Sequence, residues 1–129
     1  MLQMAKRKYG NHKVKAYGHT FDSKAEFYYY QKLKLLEKAG EVESFEMQKR
    51  FMLLEKFKHP ATDKTIRSIT YTPDFIVNYA DGSTRIVDVK GTRTAVFNLK
   101  AKMFMERYGV PLILAKYNYN TGRFTHEPA

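Results

Sequence analysis

Two short segments near the middle of the chain contain the residues best suited to carry out chemistry. Asp74 lies in the sequence Tyr-Thr-Pro-Asp-Phe, and Asp88 and Lys90 lie in the sequence Val-Asp-Val-Lys-Gly. Their apolar, β-prone neighbours predict that these charged side chains lie on half-buried strands, where an isolated carboxylate loses several kcal/mol of hydration. Such a cluster of charge predicts a metal site.

The loop between the two predicted strands decides whether both aspartates lie on one face of a sheet. Alternate residues of a strand point to the same face, so Asp88 and Lys90 lie together. A two-residue turn would place Asp74 on the opposite face from Asp88. A three-residue loop at positions 80–82, with a left-handed Gly82, would instead pair the two aspartates directly. A metal site requires this second register, and glycine suits the third position of such a loop.

Facing carboxylates repel each other unless a divalent cation lies between them, and their Cβ atoms would be about 5 Å apart here. Oxygen ligands and water suit Mg²⁺ or Mn²⁺. Phosphoryl transfer needs such a cation to withdraw charge from the phosphate and to lower the pKa of an attacking water. Lys90 can hold or polarise that water. A simpler interpretation makes Asp88 and Lys90 a surface ion pair worth under about 1 kcal/mol.

Glu26 also has two interpretations. With Ser23 as the N-cap of a helix, Glu26 is the third helical residue, so the two form an acceptable capping box without any catalytic role. The same helical position lies at the edge of the arc that contains Tyr29 and Leu33, from which a side chain can point along the sheet toward the hairpin. In company with the hairpin acids, Glu26 is assigned to the metal site.

The elements that must position these residues follow from the periodicity of apolar side chains. Apolar residues at helical spacing predict a first helix over residues 23 to about 39 and a second over about 95–108. Alternation and a fully apolar run predict the strands. One or two strands are predicted over residues 42–57, and further strands over 74–79, 84–90 and 110–115. Residues 66–71 lead into the strand at 74–79, and residues 118–125 are predicted to add an exposed hairpin. The predicted fold class is α/β (α+β), in the order helix, three strands, helix, strand.

The composition indicates one domain with a polyanionic partner. The chain has 129 residues, 23 Lys and Arg against 13 Asp and Glu, and a formal net charge of +10. Nucleic acid is favoured over a membrane, because no apolar run approaches the roughly 18 residues of a spanning helix and no signal-peptide pattern opens the chain. The lack of cysteine excludes a disulfide framework, a thiolate zinc site and a cysteine nucleophile, and a cytoplasmic location is expected.

Residues 1–16 are predicted to form a basic N-terminal arm, and residues 17–129 a single domain. The arm is rich in basic residues and poor in apolar ones, which is typical of a mobile or poorly ordered segment. Its charge can serve solubility alone or bind phosphate groups. The candidate DNA-binding residues are Lys6, Arg7, Lys8, Lys13 and Lys15 in the arm, together with Arg93.

The acids, the lysine and the element order form an ordered set. This set comprises Glu26, then Pro73 and Asp74, then Asp88, Val89 and Lys90. Over roughly residues 21–115 it resembles the PD-(D/E)xK nuclease superfamily, and it looks like small phage-encoded and Holliday-junction-resolving members. The resemblance implies a restriction-endonuclease-like core of order αβββαβ, with a mixed central sheet flanked by helices.

The resemblance also implies a role for each residue of the site. The implied metal ligands are Asp74, Asp88, Glu26 and the carbonyl group of Val89. Lys90 would position the attacking water. Gln48, on the strand before the hairpin, and Lys100, on the helix after it, lie where the family often has auxiliary polar groups.

The activity implied by the resemblance is that of a Mg²⁺-dependent DNA endonuclease, with Mn²⁺ able to substitute. No obvious specificity domain is present, which favours recognition of branched or distorted DNA by shape and charge, as in phage-type recombination, repair or packaging. Cutting opposed strands of a junction would require two active sites, hence a homodimer. The alternative is a non-catalytic basic DNA-binding or architectural protein, which has no reason to keep acids on its contact face.

Overall fold

The computed structural model describes residues 3–6 and 12–129, with side chains described from residue 13 onward. The described chain contains two helices, α1 (Lys24–Lys38) and α2 (Ala95–Tyr108). Its strands are β1 (Gln3–Lys6), β2 (His12–Ala16), β3 (His19–Phe21), β4 (Val42–Met47), β5 (Phe51–Leu54), β6 (Phe57–Lys58), β7 (Thr65–Ile66), β8 (Ile69–Tyr71), β9 (Phe75–Tyr79), β10 (Thr84–Val89), β11 (Leu112–Asn118) and β12 (Arg123–Pro128). The architecture is mixed α+β, which confirms the predicted class at this level.

Both helices begin and end where their capping residues indicate. The Ser23 Oγ accepts a hydrogen bond from the Glu26 N–H at 3.1 Å, and the Thr94 Oγ1 accepts one from the Phe97 N–H at 3.0 Å. Gly109 ends α2 in the left-handed conformation, at a φ of 65°, which glycine adopts without strain. The predicted positions of both helices are therefore confirmed. In the described part of the chain, no helix is long and apolar enough to cross a membrane.

The central sheet has five strands in the order β12-β11-β10-β9-β4. Strands β10 and β11 are parallel, and the other neighbouring pairs are antiparallel. A parallel pair needs a crossover connection, which α2 supplies between β10 and β11. The sheet is therefore mixed, with the β9–β10 hairpin near its centre.

The sheet separates two hydrophobic layers, because alternate residues of each strand point to opposite faces. Helix α1 packs on one face through Leu33, and α2 packs on the other through Phe104. Asp88 follows Ile86 by two residues, so it lies on the α2 face. The buried strand residues are Phe75, Val77, Val87 and Ala115 on the α1 face and Ile76, Ile86, Leu112 and Leu114 on the α2 face.

The hairpin of β9 and β10 has the loop that the metal-site interpretation requires. The Tyr79 N–H donates to the Ser83 carbonyl at 2.8 Å, so the loop that this pair closes consists of the three residues 80–82, and Gly82 has a φ of 90°. The observed strand pairs, continued by one position, set Asp88 opposite Asp74. The predicted register is therefore confirmed, and the two aspartates lie on the same face.

Residues 51–71 do not extend the central sheet. They fold back on themselves as a narrow antiparallel ribbon, in which β5 pairs with β8 and β6 pairs with β7. The segment 42–57, predicted as one or two strands, is divided among β4, β5 and β6. The reason is that Leu53 and Tyr71 bury against α2, which requires the chain to leave the sheet after β4.

The N-terminal segment differs from the predicted arm. Gln3–Lys6 and His12–Ala16 are strands of a three-stranded sheet with β3. Val14 is fully buried in the α1 layer, so β2 belongs to the folded domain. Lys13 and Lys15 flank Val14: Lys13 is half-buried, and Lys15 is exposed. The candidates Arg7 and Lys8 lie outside the described residues, as does the side chain of Lys6.

The exposed C-terminal hairpin predicted around Gly122 is confirmed. Strands β11 and β12 are antiparallel, and the Gly122 N–H donates to the Asn118 carbonyl at 2.8 Å. Gly122 has a φ of 71°, a conformation that suits glycine. This hairpin places β12 at one edge of the central sheet.

Candidate metal centre

Asp88 and Lys90 lie at the end of β10. Asp88 is only 3% exposed, and the Lys90 Nζ is 3.9 Å from its Oδ2. The same ammonium group lies 4.7 Å from the centre of the Phe97 ring, which adds a cation–π contact. Because the carboxylate is buried, this is not the exposed surface ion pair of the simpler interpretation.

Asp74 immediately precedes β9, after the fully buried Pro73. Its Oδ2 accepts a hydrogen bond from the Val89 N–H at 2.8 Å, across the hairpin. Burial raises the pKa of Asp74 well above its usual value, and the hydrogen bond with Asp88 and the charges of Asp88 and Glu26 raise it further. The Val89 N–H opposes this shift. The two aspartates therefore act as one coupled pair of carboxyl groups.

Glu26 caps the start of α1, although its carboxylate accepts from the N–H of Asp22 rather than of the N-cap Ser23, and its role at a metal site stays a prediction. Its Oε2 accepts a hydrogen bond from the Asp22 N–H at 3.3 Å, next to the N-cap Ser23. It is also only 3% exposed. Burial, followed by the charges of Asp22 and Asp88, raises the pKa of Glu26 to about 7, while the Asp22 N–H and Lys90 oppose the shift. The capping glutamate thus belongs to the same electrostatic cluster as the hairpin acids.

Tyr71 is the residue of the site that sequence reasoning did not identify. It is buried, and its hydroxyl group donates a hydrogen bond to the Asp88 Oδ2. Its ring packs against Phe97 and Phe104, with centroid distances of 6.2 Å and 5.6 Å. Burial, together with the charge of Asp88, raises the pKa of the Tyr71 hydroxyl. One general rule could have pointed to this residue: a buried carboxylate needs a hydrogen-bond donor, and a buried tyrosine hydroxyl group needs an acceptor.

The donor set of this cluster suits a hard divalent cation. Glu26, Asp74 and Asp88 would bring three negative charges to one region, which Lys90 partly compensates. Residues 13–129 contain no group of three or more His, Cys, Asp or Glu side chains that are placed to hold a metal ion together. A bound Mg²⁺ would therefore rest on the Asp74–Asp88 pair, with the Val89 carbonyl and water, while Glu26 adds charge nearby. The structure places Asp74 opposite Asp88, and Glu26 is near enough for its pKa to respond to the charge of Asp88, while the full set of metal ligands stays a prediction.

Residues 6–118 match the family described as "Protein of unknown function (DUF1064)". The chain belongs to this family. The match includes every residue of the cluster and both helices. Comparisons with curated proteins and with solved structures found no match.

One of the two predicted auxiliary residues of this DUF1064 chain does not lie on its predicted element. Gln48 is not on a strand: it follows β4, is exposed, and has a positive φ of 58°. Its N–H donates to the Asp74 carbonyl at 3.4 Å, so its backbone supports the site. Lys100 lies on α2 as predicted and is half-buried. Arg93 donates to the Pro128 carbonyl at 3.0 Å, so part of its guanidinium group is used within the fold.

Proposed function

We propose that the protein is a Mg²⁺-dependent DNA endonuclease of the PD-(D/E)xK type, which hydrolyses phosphodiester bonds. The observation that carries the proposal is the direct pairing of Asp74 with Asp88 at the end of one hairpin, with Lys90 on the same face. Glu26 lies in the same electrostatic cluster. If β1–β3, the ribbon strands β5–β8 and β12 are set aside, the remaining elements α1, β4, β9, β10, α2 and β11 follow the order helix, three strands, helix, strand, which supports the proposal.

A bound Mg²⁺ or Mn²⁺ would supply charge withdrawal from the phosphate and a lowered pKa for an attacking water. The residues of the chain have separate tasks around it. Asp74 and Asp88 would hold the ion and would release any shared proton on its binding. Lys90 holds the attacking water and offsets negative charge on the phosphate. Tyr71 fixes the orientation of Asp88 through its hydroxyl group.

In the hydrolysis, the oxygen of water forms a new bond to phosphorus. The bond between phosphorus and one sugar oxygen breaks, and that oxygen takes up a proton. The water loses its proton to solvent or to a nearby carboxylate, for which Glu26 of the acid cluster is a candidate.

The substrate is proposed to be branched or distorted duplex DNA, such as a four-way junction. The net charge of +10 favours a polyanion, and shape readout fits a small chain without a separate specificity domain. A homodimer would present two sites to opposed strands. Such an activity belongs to phage-type recombination, repair or packaging, in the cytoplasm.

The competing proposal is a non-catalytic basic DNA-binding protein, which the same net charge favours. The two proposals differ in the role that they give to Asp88. A DNA-binding surface gains nothing from a buried carboxylate that needs a tyrosine donor and a lysine to stabilise it. The acid cluster therefore favours the enzyme.

The test incubates the protein with four-way junction, flap, single-stranded and linear duplex DNA, in Mg²⁺ or in EDTA. Cleavage of at least one substrate in Mg²⁺ and none in EDTA is expected. Asp88→Asn should lower cleavage by about 100-fold or more while preserving or tightening DNA binding, since a negative charge is removed. Cleavage by Asp88→Asn at the wild-type rate, or no Mg²⁺-dependent cleavage of any substrate, would exclude the proposal.

A further inference from the structure

The ribbon of residues 51–71 has one face that the proposed mechanism does not use. Its apolar face packs on α2, where Phe51 and Tyr71 contact Phe104. Strand residues alternate between faces, so the opposite side of the ribbon points away from the core. Leu53 is buried in the α2 layer, whereas the polar residues of the ribbon are not.

The ribbon and the two residues before it are rich in basic side chains. Residues 49–70 contain six Lys and Arg residues against two acidic ones. A cleft of about 480 Å³ opens there, and we call it the basic cleft. Its lining combines three cations with three hydroxyl groups: Arg50, Lys56, Thr65, Arg67, Ser68 and Thr70.

The cations of the basic cleft are not neutralised within the described part of the protein. None of the ion pairs found among residues 13–129 involves Arg50, Lys56 or Arg67. The nearby acid Glu55 is 3.6 Å from Arg107 of α2 instead. The positive charge of the cleft therefore faces solvent, where an anionic partner can reach it.

The ribbon is held in place by hydrogen bonds from α2. The Tyr108 hydroxyl donates to the Met52 carbonyl at 2.7 Å, and Arg107 donates to the Leu53 carbonyl at 3.2 Å. At the far end, the Lys58 Nζ donates to the Thr65 Oγ1 at 3.2 Å. A surface fixed in this way loses little conformational entropy on binding.

The basic cleft lies close to the acid cluster along the chain. Thr70 lines the cleft, and the next residue, Tyr71, donates to Asp88. Thr70 is four residues from Asp74, so their Cα atoms are at most about 14 Å apart. That distance corresponds to about four nucleotides of one DNA strand, at 3.4 Å each.

We infer that the basic cleft binds the sugar–phosphate backbone of duplex DNA a few nucleotides from the bond that is cut. Guanidinium groups bind phosphate in a bidentate manner, and hydroxyl groups donate to phosphate oxygens. The position relative to the cut rests on the proposed nuclease function. The binding of DNA by the cleft can be tested separately from cleavage.

The test measures duplex DNA binding in Ca²⁺ between 50 and 200 mM salt, concentrations of the order at which phosphate contacts dominate. Asp88→Asn is the parent, so that binding is read without cleavage. The variant Arg50→Ala, Lys56→Ala, Arg67→Ala should reduce the slope of log K against log salt by about 2.7, since each phosphate contact contributes about 0.9. A charge-conserving variant, Arg50→Lys, Lys56→Arg, Arg67→Lys, should retain most of the slope.

The matched control removes three basic residues elsewhere, Lys34→Ala, Lys38→Ala and Arg85→Ala, from α1 and from the start of β10. It should leave the slope nearly unchanged. Equal slopes for the cleft variant and the parent, or equal losses for the cleft and control variants, would overturn the inference, as would a parent that binds no DNA. Wild-type protein that binds through the cleft without cutting in Mg²⁺ would instead refute the proposed nuclease function, and with it the position relative to the cut, while DNA binding by the cleft would stand.

Discussion

At the scale of single residues, the ammonium group of Lys90 partly compensates the charge of a region that contains three carboxyl groups. Lys90 pairs with Asp88, while Asp74 and Glu26 reduce their charge by holding protons, as their raised pKa values indicate. A divalent cation can replace those protons, and its binding then releases them. Protonation and metal binding are therefore alternatives at this site.

Glu26 gives the metal-free protein a predictable pH dependence. Its pKa rises from 4.5 to about 7 in the folded state, so between these values the folded protein binds a proton that the unfolded chain does not. The free energy of unfolding should therefore fall as pH rises from about 5 to about 8, by up to about 3 kcal/mol. Denaturant unfolding in EDTA across this range measures the change.

Glu26→Gln is the control for that pH dependence. It cannot ionise, so its unfolding free energy should change less between pH 5 and 8 than that of the wild type. Mg²⁺ should stabilise the wild type more at pH 8 than at pH 5, because the proton no longer competes. A parallel pH profile for wild type and Glu26→Gln would contradict the assignment.

Tyr71 should prove to be a positioning residue. Tyr71→Phe removes the donor to Asp88 and leaves the ring packing intact, so it should lower the unfolding free energy by about 1–3 kcal/mol in EDTA. It should also weaken Mg²⁺ binding, measured by calorimetry, because Asp88 loses its fixed orientation. Tyr17→Phe, at an exposed tyrosine, serves as the control and should match the wild type.

At the scale of elements, the β9–β10 loop controls the register of the site. Gly82→Ala puts a side chain on a residue whose φ is 90° and should lower the unfolding free energy by about 1 kcal/mol or more. Gly82→Asn should cost less, because asparagine tolerates left-handed backbone. Both variants should cleave at the wild-type rate at 25 °C once folded, because the strand pairing is unchanged. A large loss of cleavage by folded Gly82→Asn would show that the loop does more than set the register.

The hairpin could be predicted from the sequence because its information is local. Asp81 and Gly82 fix the loop, and the loop fixes which residue faces Asp74. The ribbon could not be predicted in this way. Whether residues 51–71 join the sheet or pack on α2 depends on contacts such as Phe51 with Phe104, which are distant in sequence and leave the local alternation unchanged.

The N-terminal strands were missed for a related reason. Among the described side chains of β2, Val14 and Ala16 are buried, and the neighbouring Lys13 and Lys15 give the segment the composition of a solvated arm. Its place in the fold comes from pairing with β1 and β3 and from packing near α1. Tyr71 was missed because its aromatic ring explained its burial without reference to its hydroxyl group.

At the scale of the whole molecule, positive charge is built into folded strands as well as the surface of the ribbon. Removal of residues 1–15 would delete Val14 from the core, so this truncation should lower the thermal unfolding temperature and is a poor test of DNA binding. Lys13→Gln with Lys15→Gln keeps β2 intact. This pair should reduce the salt slope of DNA binding by up to about 1.8 if both lysines contact phosphate. An unchanged slope would remove them from the interface.

The placement of Glu26 in the first turn of α1 has a consequence for the dynamics of that helix. The same carboxylate accepts the Asp22 N–H and contributes charge to the acid cluster. Binding of an ion at the acid cluster would therefore change the local stability of the first turn of α1. Amide hydrogen exchange at Asp22 and Glu26 would then report on the loading of the centre without any nucleic acid present.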